Sequence, residues 1–341
     1  MGSVMEWAEC QIIVMTMKTN VQGDAFFIKR LLSFLNDQFD IRIHRITPLR
    51  NHVFLIETAV NHKPYVLKGF SSPSKLRLQE MFTADLKKAG FSNTYSFQAL
   101  AAQSPLSFEN RYYGIMEYIA PSTNTFTFLE RTNRAEGLTL LQKYHETTGM
   151  LVNRYATELA QHQPLEKWKK RTASFIKNIP VIEFFVQKEI IEEYMSWANW
   201  SLENLEATPP SNPESTIILH GDVAHHNFLR SVDGTLYLID FDLISIGEQS
   251  QDYLQYANRI LPFLDWSFEG LSELEGIRPF LNDKKFLYGL AFPTDIFREW
   301  NRLIRERQYH NPVRVRPVME LTVGQFAERK SFFKEIRKLT M

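Results

Sequence analysis

Cysteine is almost missing from this sequence: Cys10 is the single thiol in 341 residues, so no internal disulfide staples the chain, as suits a reducing compartment. An excess of charge of either sign is missing as well. The 39 basic and 39 acidic residues cancel without forming a long block of one sign, which excludes the broad electrostatic footprint of a nucleic-acid binder. Long apolar runs do not occur. The short stretch Ile12-Ile13-Val14-Met15 follows Glu6 and Glu9 rather than a basic segment, and it predicts neither a secretory signal nor a membrane span. Internal repeats and low-complexity tracts are lacking too, which sets aside solenoids and disordered linkers. What remains is 44% hydrophobic and 13% aromatic, the composition of a chain with a sizeable buried core. At this length two domains or lobes are expected.

The order of local patterns supports two lobes. Residues 1–20 read as an extension to which no function is assigned, and Met5, Met15 and Met17 leave the true start open. From Phe26 to Phe39 apolar residues recur at helical spacing, with Phe27, Leu31, Phe34 and Leu35 on one face. The segment "IRIHRITPLRNHVFLIETAVNHKPYVLKGF" then alternates like three strands. A helix is predicted from Ser72, which caps it, through Pro73 at the first helical position to Gly90, with Leu78, Met81, Phe82 and Leu86 facing inward. "RYYGIMEYI" is a further strand. Beyond residue 125 the pattern is mainly helical, with a break expected at Pro180, two strands at "TIILH" and "GTLYLIDFD", and "PVRVRPV" as a proline-broken connector. The aromatic positions Trp168, Trp197, Trp200, Phe263, Trp266, Phe268 and Trp300 read mostly as core packing.

Chemistry concentrates in "LHGDVAHHNFL", residues 219–229. Asp222 and Asn227 are followed, after the Asp233-Gly234 turn and an apolar strand, by "IDFD" with Asp240 and Asp242. An Asp, an Asn five positions on and an Asp at the end of the next strand can converge on Mg²⁺ bound to nucleotide phosphates, because that ion takes hard oxygen ligands and keeps sites for phosphate and water. An Asp in the position of Asp222 can instead orient a hydroxyl and accept its proton as the hydroxyl attacks the γ-phosphate. Taken alone each segment is only a turn or a strand end. The adjacent His225 and His226 lack the further Cys or His that a tetrahedral zinc site needs, and read as residues bordering the acceptor pocket.

His220-Gly221-Asp222-x-x-x-x-Asn227 with Ile239-Asp240-Phe241-Asp242 resembles the signature of the aminoglycoside and choline kinase-like phosphotransferases, small-molecule relatives of the protein kinases. The resemblance implies an α+β, bilobal protein kinase-like fold, with a small β-rich N-lobe and hinge over 21–119 and a larger, mainly helical C-lobe over 120–341. It implies Asp222 as the catalytic Asp and Asn227 and Asp240 as metal ligands, with a second metal contact at Asp242 and Asp252 as a structural Asp. Lys68, at the end of "YVLK", matches the strand lysine that contacts the α and β phosphates, and Glu80 matches the helix glutamate that pairs with it. Glu117, Tyr118 and Ile119, in "IMEYI", match the hinge whose backbone holds adenine. The implied cofactors are ATP and Mg²⁺. The implied partner is a small hydroxylated substrate, with no nucleic acid and no membrane, in the cytoplasm.

One departure from the family pattern concerns the phosphate loop. "ITPLRNHVFLIE" contains no glycine, so backbone cradling of phosphate is the property in question. "LLQKYHETTGM", "LEKWKKRTASFI" and "LAFPTDIFREWNRLIRE" resemble the CotS-type spore coat branch of the superfamily. On that branch the alternative is a non-catalytic protein of the spore coat, with coat proteins as partners. No dense acidic cluster announces a polycationic aminoglycoside; Glu248, Asp252, Asp265 and Glu269 are the candidates for contacting one.

Overall fold

The computed structural model describes residues 21–39, 42–59, 62–99, 105–209 and 216–341, so the expectations for residues 1–20 lie outside the described residues. Helix α1 (Val21–Gln38) is followed by the antiparallel strands β1 (Ile43–Arg50), β2 (Val53–Thr58) and β3 (Pro64–Phe70), the three strands expected from the alternation. Helix α2 (Pro73–Lys88) comes next, then β4 (Leu106–Phe108) and β5 (Arg111–Glu117), which complete a sheet of order β1-β2-β3-β5-β4. Period-two alternation gives this sheet two apolar faces. Ile56, Tyr65, Leu67 and Ile115 pack with Leu31 and Leu35 of α1, while Val66 and Met116 point the other way and join the core that contains Phe82 and Leu86 of α2. Lys68 lies two residues from Val66 and so shares that second face.

The capping expected for α2 is present: the Ser72 hydroxyl accepts from Lys75 N at 3.3 Å and Pro73 is the first helical residue. The inward face is rotated from the expected one. Leu76, Gln79, Phe82, Thr83 and Leu86 are buried, whereas Met81 is exposed.

The second part of the chain holds α3 (Arg131–Gly149), α4 (Val152–Tyr155), α5 (Pro164–Ile182) and α6 (Lys188–Ala207). Two small two-stranded antiparallel sheets follow, β6 (Thr216–Leu219) with β9 (Ser245–Glu248) and, between them in the chain, the hairpin of β7 (Phe228–Arg230) with β8 (Leu236–Leu238). Then come α7 (Ser250–Ile260), α8 (Phe268–Ser272), α9 (Lys284–Ala291), α10 (Thr294–Arg305), α11 (Pro312–Met319) and α12 (Phe326–Thr340). Helices α5 and α10 pack through Phe175 and Phe297, whose rings stack at 4.0 Å, and Trp168, Trp197, Trp266 and Trp300 are buried as expected of core aromatics. Two proline readings need correction. Helix α5 runs through Pro180 to Ile182, and "PVRVRPV" is not a connector but helix α11, with Pro312 in its first turn and the Asn311 side chain accepting from Val313 N at 3.1 Å. Pro312 in the first turn removes no helical hydrogen bond, and Pro317 and Pro180 lie inside their helices two residues before the ends, where few bonds remain to be lost.

Candidate active site

The loop after β6 is built from the inside of helix α7. Asp252 is buried and accepts from His220 N at 2.7 Å, from Gly221 N at 3.0 Å and from His145 Nε2 of α3 at 3.0 Å. One turn on, Gln255 accepts from Val223 N at 2.8 Å and donates to Gly221 O at 3.0 Å. A further turn on, Arg259 Nη2 donates to Asp222 Oδ1 at 2.7 Å. Positions i, i+3 and i+7 of one helix thus hold four consecutive loop residues. Gly221 has φ +76°, and a Cβ there would lie 2.3 Å from Leu243 O, so only glycine fits the turn. The His220 ring is buried, with Nε2 against Ile239 O at 3.0 Å and Nδ1 accepting from Asp222 N at 3.3 Å; burial lowers its proton affinity and keeps it neutral. It therefore supports the loop.

Removing the Asp252 carboxylate leaves two buried amides and a buried imidazole without their acceptor. We expect Asp252→Ala to cost roughly 3 kcal/mol or more in stability, read as a lower midpoint in chemical denaturation. Burial opposes the charge of Asp252, but His145, His220 and the Gly221 amide outweigh it and hold the carboxyl below its ordinary range. A depressed folded-state value means that its contribution is complete at neutral pH and is lost as the pH falls below about 4. The variant should be flatter in that acid range than the parent.

Asp222 and Asn227 are brought together directly. Asn227 Nδ2 donates to Asp222 O at 2.7 Å and to Asp222 Oδ2 at 3.1 Å, which leaves Asn227 Oδ1 buried with no hydrogen-bond partner among the described residues. Asn227 O accepts from Ile239 N at 2.9 Å, so the β7–β8 hairpin sets Asn227 next to the strand end that carries Asp240. Asp240 has φ +71°, a left-handed conformation that a non-glycine residue adopts at some cost and that aims its side chain into the cleft. Lys68 Nζ reaches Asp240 Oδ1 at 2.8 Å and Asp242 Oδ1 at 2.7 Å, and Arg50 Nη2 reaches Asp240 Oδ2 at 2.8 Å. Burial raises the cost of charge on Asp240, yet Lys68 and Arg50 hold its carboxyl far below the ordinary range.

An orphaned amide oxygen and two carboxylates form an oxygen-only donor set that suits a hard divalent cation. Among the described residues no three His, Cys, Asp or Glu side chains converge as a metal site of their own, His225 and His226 included.

The Lys68–Glu80 pair does not form. Lys68 is bound instead by Asp240 and Asp242, and the residue of α2 that turns into the cleft is Gln79, whose Nε2 donates to Asp242 Oδ1 and whose Oε1 accepts from Tyr95 OH at 3.3 Å. Glu80 is half-buried, and burial raises its carboxyl despite Arg77. Glu117 ends β5, and its side chain accepts from Ser96 N at 2.7 Å and Lys87 Nζ at 2.8 Å. No hydrogen bond among the described residues uses the backbone of Tyr118 or Ile119. The glycine-free segment is the β1–β2 hairpin: Arg50 pairs with Val53 across Asn51 and His52, and His52 takes φ +55°, where glycine is the usual occupant. The residues that sequence reasoning missed are Arg50, Gln79, Gln255 and Arg259.

A family model described as the phosphotransferase enzyme family matches residues 45–268. None of the curated protein sequences is significantly similar. Among solved structures, an aminoglycoside phosphotransferase from Alicyclobacillus acidocaldarius superposes with a TM-score of 0.63 at 15% identity, covering 89% of this chain and 94% of that one. The GDP complex of wild-type aminoglycoside 2'-phosphotransferase-IIIa gives 0.57 at 14% identity, covering 88% and 98%. The GDP and kanamycin complex of APH(2")-IIIa gives 0.54 at 13% identity, covering 92% and 99%. The fold is therefore the kinase-like one, a β-sheet region followed by a mostly helical part. These matches do not single out the CotS-type branch.

Proposed function

The chain belongs to the phosphotransferase enzyme family, and from that premise we propose that it is an ATP-dependent, Mg²⁺-dependent kinase of a small molecule that bears a hydroxyl. The reading assigns 21–119 to the nucleotide lobe and hinge, 120–341 to the catalytic loop and acceptor side, and the activity to the cytoplasm. The observation that carries it is the convergence on one cleft of Asp222, Asn227 with its orphaned oxygen, Asp240 and Lys68, drawn from β3, the loop after β6 and the end of the β7–β8 hairpin.

In this mechanism Asp222 orients the acceptor hydroxyl. The hydroxyl oxygen forms a bond to the γ-phosphorus as the bond from that phosphorus to the β–γ bridging oxygen breaks, ADP leaves, and the hydroxyl proton passes to the Asp222 carboxylate. Asn227, Asp240 and Asp242 would hold Mg²⁺, which when bound supplies charge neutralisation at the phosphates. Lys68 and Arg50, which rest on Asp240, are the cations within reach of phosphate oxygens, and Arg50 offers a side chain where the missing glycines would offer amides. The free backbone groups of Tyr118 and Ile119, with Glu117 ending the strand before them, are placed for adenine. Solved relatives hold GDP and, in one case, kanamycin, which supports a nucleotide and a hydroxylated acceptor here.

The test is a thermal-shift titration with ATP and GTP, with and without Mg²⁺. At about a hundred times its dissociation constant a ligand adds roughly 2.7 kcal/mol to stability. A Mg²⁺-dependent rise is expected with ATP. The hairpin with His52 in place of glycine, closed over Asp240 by Arg50, favours a second reading, a non-catalytic protein such as one of the spore coat. No shift at millimolar nucleotide, in folded protein, selects that second reading.

A further inference from the structure

Arg259, Lys167 and Arg298 each feel the Asp222 carboxylate, and Arg171 stands beside Lys167 and Arg298, so four cations gather near Asp222. Arg259 grips Asp222 Oδ1 at 2.7 Å. On α5, Arg171 Nη1 donates to Thr294 O at 3.2 Å and also to the Thr294 hydroxyl, while Asn301 Nδ2 of α10 donates to Arg171 O at 2.9 Å. These bonds fix α5 against α10, the helix that carries Arg298 one turn after Thr294. Lys167 lies one turn before Arg171 on α5, is exposed, and has no carboxylate within ion-pair distance among the described residues. The four groups feel one another. Although the residue is exposed, partial desolvation of its ammonium end against its neighbours, then the positive charges of Arg171, Arg298 and Arg259, lower the Lys167 ammonium, while Asp222 raises it. Burial and Arg298 pull both Arg171 and Arg259 down to about 10, so both remain charged at neutral pH.

The nearby carboxylates do not balance this cluster. Asp222 is bound by Arg259. Glu299 is shared between Arg298, at 2.8 Å, and Arg302. Asp295 is taken by Arg329 through contacts of 3.2 and 2.6 Å. An excess of fixed positive charge beside a reacting group repels a cationic ligand and attracts an anionic one.

We propose that the acceptor is an anion, a hydroxylated small molecule whose carboxylate or phosphate group is held by Lys167, Arg171 and Arg298 beside Asp222. The proposal rests on the kinase reading above and names its substrate class. It is the opposite of what a polycationic aminoglycoside requires. The sequence showed only that a dense acidic cluster is lacking.

The experiment is isothermal titration of MgADP-loaded protein, at fixed ionic strength, with 3-phosphoglycerate, glycerol 3-phosphate, glycerate, kanamycin and choline. At least one of the three anions should bind, with the phosphate and carboxylate probes separating the two sources of the anionic group, and both cations should give no signal. Lys167→Glu with Arg298→Glu should weaken the binding anion by roughly tenfold or more, and Lys167→Arg should retain it. Should the double variant fail to fold, Lys167→Ala, at an exposed position, should still weaken it several-fold. Binding of kanamycin or choline in preference to the anions overturns the proposal, as does anion binding indifferent to Lys167, or no binding by any of the three at millimolar concentration. Loading by MgADP is read in a separate titration. Failure there, with anion binding still dependent on Lys167, removes the kinase reading and leaves the anion site.

Discussion

Asp222→Asn should lower the rate of phosphoryl transfer by about a thousandfold while leaving MgATP binding within a few-fold of the parent. The substitution preserves size and removes the charge that accepts the hydroxyl proton. It also keeps much of the scaffold. One oxygen can still accept from Arg259, which donates to Oδ1 at 2.7 Å, and Asn227 remains tied to the backbone oxygen of residue 222 at 2.7 Å. The new amide nitrogen faces the Asn227 Nδ2 donor that Oδ2 now accepts from at 3.1 Å, so a small local cost is expected where the two donors meet. Because Asp240, Lys68 and Arg50 are untouched, the nucleotide side is intact. The measurement is single-turnover consumption of labelled ATP with the best acceptor from a screen, alongside a thermal-shift titration. Turnover undiminished in the variant would remove Asp222 from the mechanism. Loss of nucleotide binding together with turnover would make it a structural residue.

The parts of the site legible in the sequence are those whose position follows from chain direction. Asp222 and Asn227 share one short loop and Asp240 follows the next strand, so their spacing brings them together, while Lys68 on β3 is legible only through its match to the strand lysine of the resembling family. The parts not legible depend on the rotational phase of a helix. On α2 the buried stripe is Leu76, Gln79, Phe82 and Leu86, and counting back three from Phe82 gives Gln79, not Glu80. Matching a glutamate to the lysine overrode that count. On α7 the residues Asp252, Gln255 and Arg259 share one face, but Gln and Arg on a helix read as solvent-facing until the loop they hold is seen. Arg50 was hidden for another reason. Its partner Asp240 lies far along the chain, and no local pattern encodes a bond between a hairpin tip and the opposite lobe.

Asp240→Ala separates two roles that the cleft combines, and its effect should have opposite signs for the two forms of nucleotide. In the parent protein the Asp240 carboxylate is bound by Lys68 on one oxygen and Arg50 on the other, both at 2.8 Å. A metal-free nucleotide must compete with that carboxylate for the same two cations. Without it Arg50 has no carboxylate partner and Lys68 keeps only Asp242, so both turn more readily to phosphate oxygens. ATP with a chelator present should therefore bind the variant as tightly as the parent or more tightly. With Mg²⁺ the order reverses, because the donor set falls to Asn227 and Asp242, and MgATP affinity should drop by roughly tenfold or more. Turnover should fall by about a thousandfold, as expected when charge neutralisation at the transferring phosphoryl group is lost. Isothermal titration with and without Mg²⁺ reads the first two effects and single-turnover chemistry the third. If Asp240 served only to anchor Lys68 and Arg50, both forms of nucleotide would change affinity in the same direction, and the metal-ligand assignment would be wrong.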